Sequence, residues 1–129
     1  MNFGLSEEQK MIVESAAKFG AALRDRHRET EKSGVSADLI RKYKDLGFLS
    51  LAWPEKSGGS HMGFLTKVMA LEELAWGDAA ATMALDRVSW ICGSALELGE
   101  GGERLLARAV KAPADFVPAA YVDLDERLK

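Results

Sequence analysis

The feature that most constrains this chain is the three- and four-residue spacing of its apolar side chains, interrupted at intervals by glycine. Met11, Ile12, Ser15, Ala16, Phe19, Ala22 and Leu23 fall on one side of a helix, because residues three and four apart share a face. The spacing recurs in Leu39, Ile40, Tyr43 and Leu46, and in Phe64, Val68, Leu71 and Ala75, widened by Leu65 and Met69. It returns in Ala84, Val88, Ile91, Ala95 and Leu98, and in Leu105, Leu106, Ala109 and Val110. The pattern predicts an all-α fold, a compact bundle of about five helices. The stretch 78–98 is apolar over much of its circumference and is expected at the centre, with its Ala-rich start at 79–84 allowing close helix approach.

Punctuation agrees with the periodicity. Ser6-Glu7-Glu8-Gln9 fits a capping box, in which serine and glutamine side chains satisfy free backbone N–H groups. Ser36 and Asp78 are favourable N-caps, and Gly47 and Gly99 stand where helices end. Residues 30–35 and the glycine-rich stretch 55–63 read as loops, and Pro113 stops the last helix. Phe116–Val122 has β-type residues, but Pro118 restricts it to an edge strand. The expected organisation is a helical domain over 1–113 and a tail over 114–129.

With 129 residues, 47% of them apolar and 29% charged, the chain is large enough for one hydrophobic core. A net charge of −3 argues against nucleic-acid binding, which calls for a basic face. No apolar run approaches the ~18 residues of a membrane span, and Met1-Asn2-Phe3-Gly4 has no leader character. One cysteine, Cys92, excludes a disulfide framework and fits a reducing compartment, so the cytoplasm is the expected location.

No self-contained catalytic constellation stands out. His27 lies among charges and His61 in a loop, neither at metal-ligand spacing, so both are expected to be solvated and no metal site is expected. Cys92 reads as a small buried residue, with no base marked beside it. Gly58, Gly59 and Gly63 match no phosphate-binding spacing and read as a tight turn into the next helix. Glu72 and Glu73 are adjacent and diverge by about 100° on a helix, which favours surface charge over a paired acid and base. Trp53, Trp76 and Trp90 read as core or interface anchors. Asp86 and Arg87 interrupt the most apolar helix, as a solvated face, a helix–helix ion pair, or polar groups in a binding cavity.

Four short motifs in order resemble the acyl-CoA dehydrogenase family. They are Leu5-Ser6-Glu7-Glu8-Gln9, Leu39-Ile40-Arg41 followed by Leu46-Gly47-Phe48-Leu49, Trp53-Pro54-Glu55-Lys56-Ser57-Gly58-Gly59, and Glu72-Glu73-Leu74-Ala75 with Asp78. The resemblance covers about residues 3–112 and is to the N-terminal helical domain only. It implies an oxidoreductase acting on the CH–CH group of acyl-CoA thioesters with FAD, whose β-domain and C-terminal bundle hold most of the flavin and the catalytic base. This chain would lack both, assign no catalytic residue, bind no cofactor alone, and reach only the start of the β-domain at 114–129. The resemblance implies one wall of the acyl pocket at Thr82, Met83, Asp86, Arg87 and Trp90. Arg87 and Trp90 are larger there than the family's usual residues, which suits a short, polar or bulky acyl group better than a long chain. Arg87 is expected to pair with Asp86 or another carboxylate, or to face solvent. The alternative is a non-catalytic binding or oligomerisation module, pairing through 116–122 with a partner subunit or a second copy.

Overall fold

The computed structural model describes residues 4–95 and 98–111, with backbone only at 90–93, 95, 109 and 110. Five α-helices are present among the described residues, and no strand: α1 (Glu7–Asp25), α2 (His27–Ser33), α3 (Ala37–Asp45), α4 (Gly63–Ala95) and α5 (Glu100–Lys111). The all-α reading holds. The tail 114–129, with its candidate strand, lies outside the described residues.

Helix α1 begins with the expected capping box. The Gln9 N–H donates to Ser6 Oγ at 3.1 Å, and the Ser6 N–H donates to Gln9 Oε1 at 3.0 Å. The amide of Gln9 also donates to Thr66 Oγ1 at 3.1 Å, so the cap is tied to α4. Ser36 caps α3 through the Leu39 N–H, and Gly47 follows α3 with φ of 77°, a left-handed turn that favours glycine.

Helix α4 is two arms joined at Asp78, whose backbone is extended rather than helical. The arms pack along α1. At the crossing, a Cβ added to Gly77 would lie 2.0 Å from the carbonyl oxygen of Gly20. A Cβ on Gly20 would lie 2.5 Å from the carbonyl oxygen of Glu73. The close approach is therefore made by this glycine pair and not by the alanines of 79–84, of which Ala79, Ala80 and Ala84 are exposed. Helix α5 lies against α4 and against a short 3-10 turn, Glu55–Ser57, where Lys56 pairs with Glu103.

The core draws Ala16, Phe19 and Leu23 from α1, Leu39 and Tyr43 from α3, and Phe48, Leu49, Leu51 and Trp53 from the segment that follows. Helix α4 adds Ala70, Leu74, Ala81, Leu85 and Val88, and α5 adds Leu106. Phe19, Tyr43 and Phe48 form a tilted aromatic trio with centroids 5.7–6.3 Å apart. Segment 50–62 folds back on itself through bonds from Ser60 N to Ser50 O, His61 N to Trp53 O and Met62 N to Leu51 O. A Cβ at Gly59 would meet the Trp53 carbonyl, and Gly58 and Gly63 have positive φ, so the glycines permit the tight turn into the next helix.

Three local expectations fail. Residues 27–33 form a helix, where the sequence reads charges around His27 and a loop from residue 30. Helix α2 has no buried residue, so it carries no apolar stripe to detect. The face of α4 expected inside, Phe64, Leu65 and Val68, is outside, with Phe64 69% exposed. Met11, Ala22, Leu46, Ala84, Leu98 and Leu105 are likewise exposed rather than buried. Trp53 is a core residue, but Trp76 lies at the surface beneath the Arg24 guanidinium, 4.8 Å from the ring centroid.

Candidate functional site

The break at Asp78 sets the second arm of α4, and the arm carries the residues of interest. Asp78 caps it: Oδ1 accepts from the Ala81 N–H at 2.9 Å, and the Asp78 carbonyl accepts from Thr82 Oγ1 at 2.8 Å. From there the 3.6-residue period divides the arm into two faces. Thr82, Leu85, Asp86 and Ser89 turn inward and are buried, while Met83 and Arg87 turn outward, with Met83 76% exposed. The five sequence-derived wall positions therefore do not form one surface. Thr82 and Asp86 belong to the inner face and Met83 and Arg87 to the outer; the Trp90 side chain lies outside the described residues.

Asp86 is 2% exposed and Lys67, from the first arm of α4, is 5% exposed. Lys67 Nζ lies 2.5 Å from Asp86 Oδ1 and donates to the Phe48 carbonyl at 2.5 Å and to the Leu49 carbonyl at 3.5 Å. The Tyr43 hydroxyl donates to the same Asp86 oxygen at 2.5 Å. The ammonium is thus shared by a carboxylate and by the backbone that leaves α3, which joins both arms of α4 to the α3 connection.

Burial pulls Lys67 below the usual lysine range, and the Asp86 charge works against that pull. Tyr43 is pushed far above the usual phenol range, first by burial and then by the negative charge and hydrogen bond of Asp86. The Tyr43 shift favours a protonated phenol donating to a carboxylate. A buried acid, base and phenol can move protons, but here the Lys67 ammonium, the Tyr43 hydroxyl and Asp86 Oδ1 are already engaged with one another. The arrangement is a structural clamp.

Of the alternatives open for Asp86, the helix–helix ion pair is the one observed, between the two arms of one broken helix. Its partner is Lys67, not Arg87. Arg87 is exposed and makes no ion pair among the described residues. The sequence reading did not single out Lys67, because it followed the apolar stripe of Phe64, Val68, Leu71 and Ala75. A lysine on the same helix as an aspartate in an apolar stretch was the available signal.

His27 was missed as well. Its Nδ1 lies 2.9 Å from Asp78 Oδ2, across 51 positions of sequence. His61 is exposed in its loop, and Cys92 falls where side chains are outside the described set. Among the described residues no group of three His, Cys, Asp or Glu side chains could hold a metal ion. Glu72 is exposed and Glu73 half-buried.

One open cleft of about 330 Å³ lies between the first turns of α1 and the segments around 46–51 and 60–62. Its walls are apolar (Met11, Ile12, Leu46, Phe48, Leu51 and Met62), with Glu8, Ser15 and Ser60 as its polar side chains.

A five-helix fold with α4 broken at a capping aspartate can be compared with known families. The family model for the acyl-CoA dehydrogenase N-terminal domain matches residues 6–104, from the α1 cap into α5. The chain belongs to this family. It is 31% identical to the mitochondrial isovaleryl-CoA dehydrogenase of Pongo abelii and 32% identical to that of Bos taurus. Each match runs over 93 residues, 69% of this chain and 22% of the relative, so the chain spans about a fifth of these proteins. No solved structure gave a significant match. No helix among the described residues is long and apolar enough to cross a membrane.

Proposed function

We propose that this chain is the N-terminal helical part of an acyl-CoA dehydrogenase-like flavoprotein, shaping the acyl pocket without catalysing alone. The observation that carries this reading is the family match from the α1 cap to the start of α5, together with a second arm of α4 whose outer face is exposed at Met83 and Arg87. Met83 and Arg87 supply that face. Thr82 and Asp86 act from behind, Thr82 through the Asp78 cap and Asp86 through the Lys67 clamp. Arg87, exposed and without an ion pair among the described residues, suits a short or polar acyl group better than a long alkyl chain. In this reading residues 1–113 form the helical domain and 114–129 lead into a β-domain.

The dehydrogenation itself belongs to the complete protein, where FAD would accept the hydride. The cleft beside α1 is not suited to a flavin. The cleft beside α1 offers one carboxylate and two hydroxyls and no cation to face a pyrophosphate. A single cysteine supports a reducing compartment such as the cytoplasm, although the relatives' names place those proteins in mitochondria.

Two samples test the reading. The 129-residue chain, dialysed after mixing with FAD, should be colourless and inactive. The protein completed with the missing domains should show flavin absorbance that bleaches on adding a short-chain acyl-CoA. Stoichiometric FAD on the short chain, or a completed protein whose flavin no acyl-CoA reduces, would overturn it.

A second reading, a non-catalytic module that binds a partner subunit or a second copy, is favoured by the exposed Phe64, Leu65 and Val68. Sedimentation separates it from the first. Concentration-dependent association, abolished by Phe64→Ser with Leu65→Ser, supports the module; a monomer at all concentrations excludes self-association.

A further inference from the structure

We propose that His27 and Asp78 form a proton-sensitive latch holding α2 against the break in α4. The geometry has three parts. Helix α2 has no buried residue, so apolar packing does little to keep it in place. Its first residue, His27, reaches the Asp78 carboxylate at 2.9 Å; the His27 side chain is 56% exposed and that of Asp78 is 4% exposed. Asp78 divides its two oxygens between the tasks: Oδ1 caps the second arm of α4, and Oδ2 faces the imidazole.

Protonation decides how strong that contact is. An imidazolium carries N–H on both ring nitrogens, so Nδ1 donates and a full charge faces the carboxylate. In the neutral ring the charge is gone: a proton on Nδ1 leaves a weaker neutral hydrogen bond, and a proton on Nε2 leaves two acceptors facing each other. Buried Asp78 stays ionised over the relevant range. Burial alone would raise its pKa, but the Ala81 N–H and the His27 ring outweigh this and hold it below the usual carboxylate range.

The other charges near His27 have their own engagements or are small. Glu31 on α2 supports the charged ring and Arg28 opposes it. From the end of α1, Arg26 pairs with Glu29 and Asp38, and Arg24 covers Trp76. The hydrogen bond to Asp78, then its charge, raises the pKa of His27 above the ordinary 6.5. A group whose pKa rises on folding stabilises the fold fully below its unfolded value. That contribution fades as the pH climbs through the raised value. The latch is therefore tight in mild acid and loosened in mild alkali.

Amide hydrogen exchange on the 129-residue chain tests this between about pH 5 and about pH 8, corrected for intrinsic rates. Protection at Thr30 and Gly34, whose amides donate to Arg26 O and Thr30 O, should fall several-fold as pH rises. Asp78→Asn keeps a capping oxygen but removes the charge, and should flatten this dependence and lower the His27 titration midpoint seen by NMR. His27→Gln, a change at the surface, should flatten the dependence independently of any effect on the cap. Protection that does not vary with pH in the parent chain, or that varies equally in His27→Gln, overturns the proposal. So does a His27 midpoint unmoved by Asp78→Asn.

Discussion

Asp78 and Asp86 sit on one helix, two turns apart, and each meets a basic side chain brought from elsewhere in the chain. They differ in where the partner stands. Asp86 faces Lys67 and Tyr43, all three in the interior, so removing one partner strands a charge away from water. Asp78 faces a half-exposed imidazole and retains the Ala81 N–H whatever that ring does. The first arrangement must stay intact for the fold to stand. The second can tighten and loosen at small cost.

Mutations can break that contrast, and the largest effect is expected at Lys67. Lys67→Met takes the ammonium away from the buried Asp86 carboxylate and should destabilise the chain by about 3–5 kcal/mol in denaturant unfolding. Adding Asp86→Leu to it should recover most of the loss, because an apolar pair of similar volume removes the stranded charge. If the single variant is as stable as the parent chain, Asp86 is not confined as described.

Tyr43→Phe comes next. It preserves the ring contacts with Phe19 and Phe48 but removes a donor to a charged oxygen, for an expected loss of about 1.5–3 kcal/mol. Asp78→Ala should cost less, about 0.5–2 kcal/mol, the usual value of a lost N-cap. A penalty at Asp78 matching that at Lys67 would erase the distinction between the two sites. The smallest effect belongs to His27→Gln, whose midpoint shift should appear in mild acid and shrink in mild alkali.

Helix ends and turns were legible because their causes are local. The Ser6–Gln9 box, the Ser36 and Asp78 caps and the left-handed Gly47 each depend on residues within one turn. The inner faces of α1 and α3 were legible where their core residues are apolar: Ala16, Phe19 and Leu23, and Leu39 and Tyr43. The first arm of α4 was misread because the same logic ran in reverse. Thr66 and Lys67 are inside and Phe64 and Val68 outside. Periodicity assumes that polar side chains seek water. It fails where Gln9 satisfies Thr66 and where Asp86 and two carbonyls satisfy Lys67. Of the wall candidates, spacing placed all five on one helix, but only packing separated Thr82 and Asp86 from Met83 and Arg87.

The sequence by itself determined that the chain is helical, where most of its helices begin and end, and which family pattern it follows. These follow from capping, glycine conformation and apolar period, which act over one or two turns. Tertiary structure decided which side of α4 is inside, that Lys67 and not Arg87 answers Asp86, and that His27 reaches Asp78. Those outcomes depend on groups 18 to 57 positions apart. Their pairing is settled by desolvation, which charges a buried polar group for every partner it lacks, and which no short stretch of sequence displays.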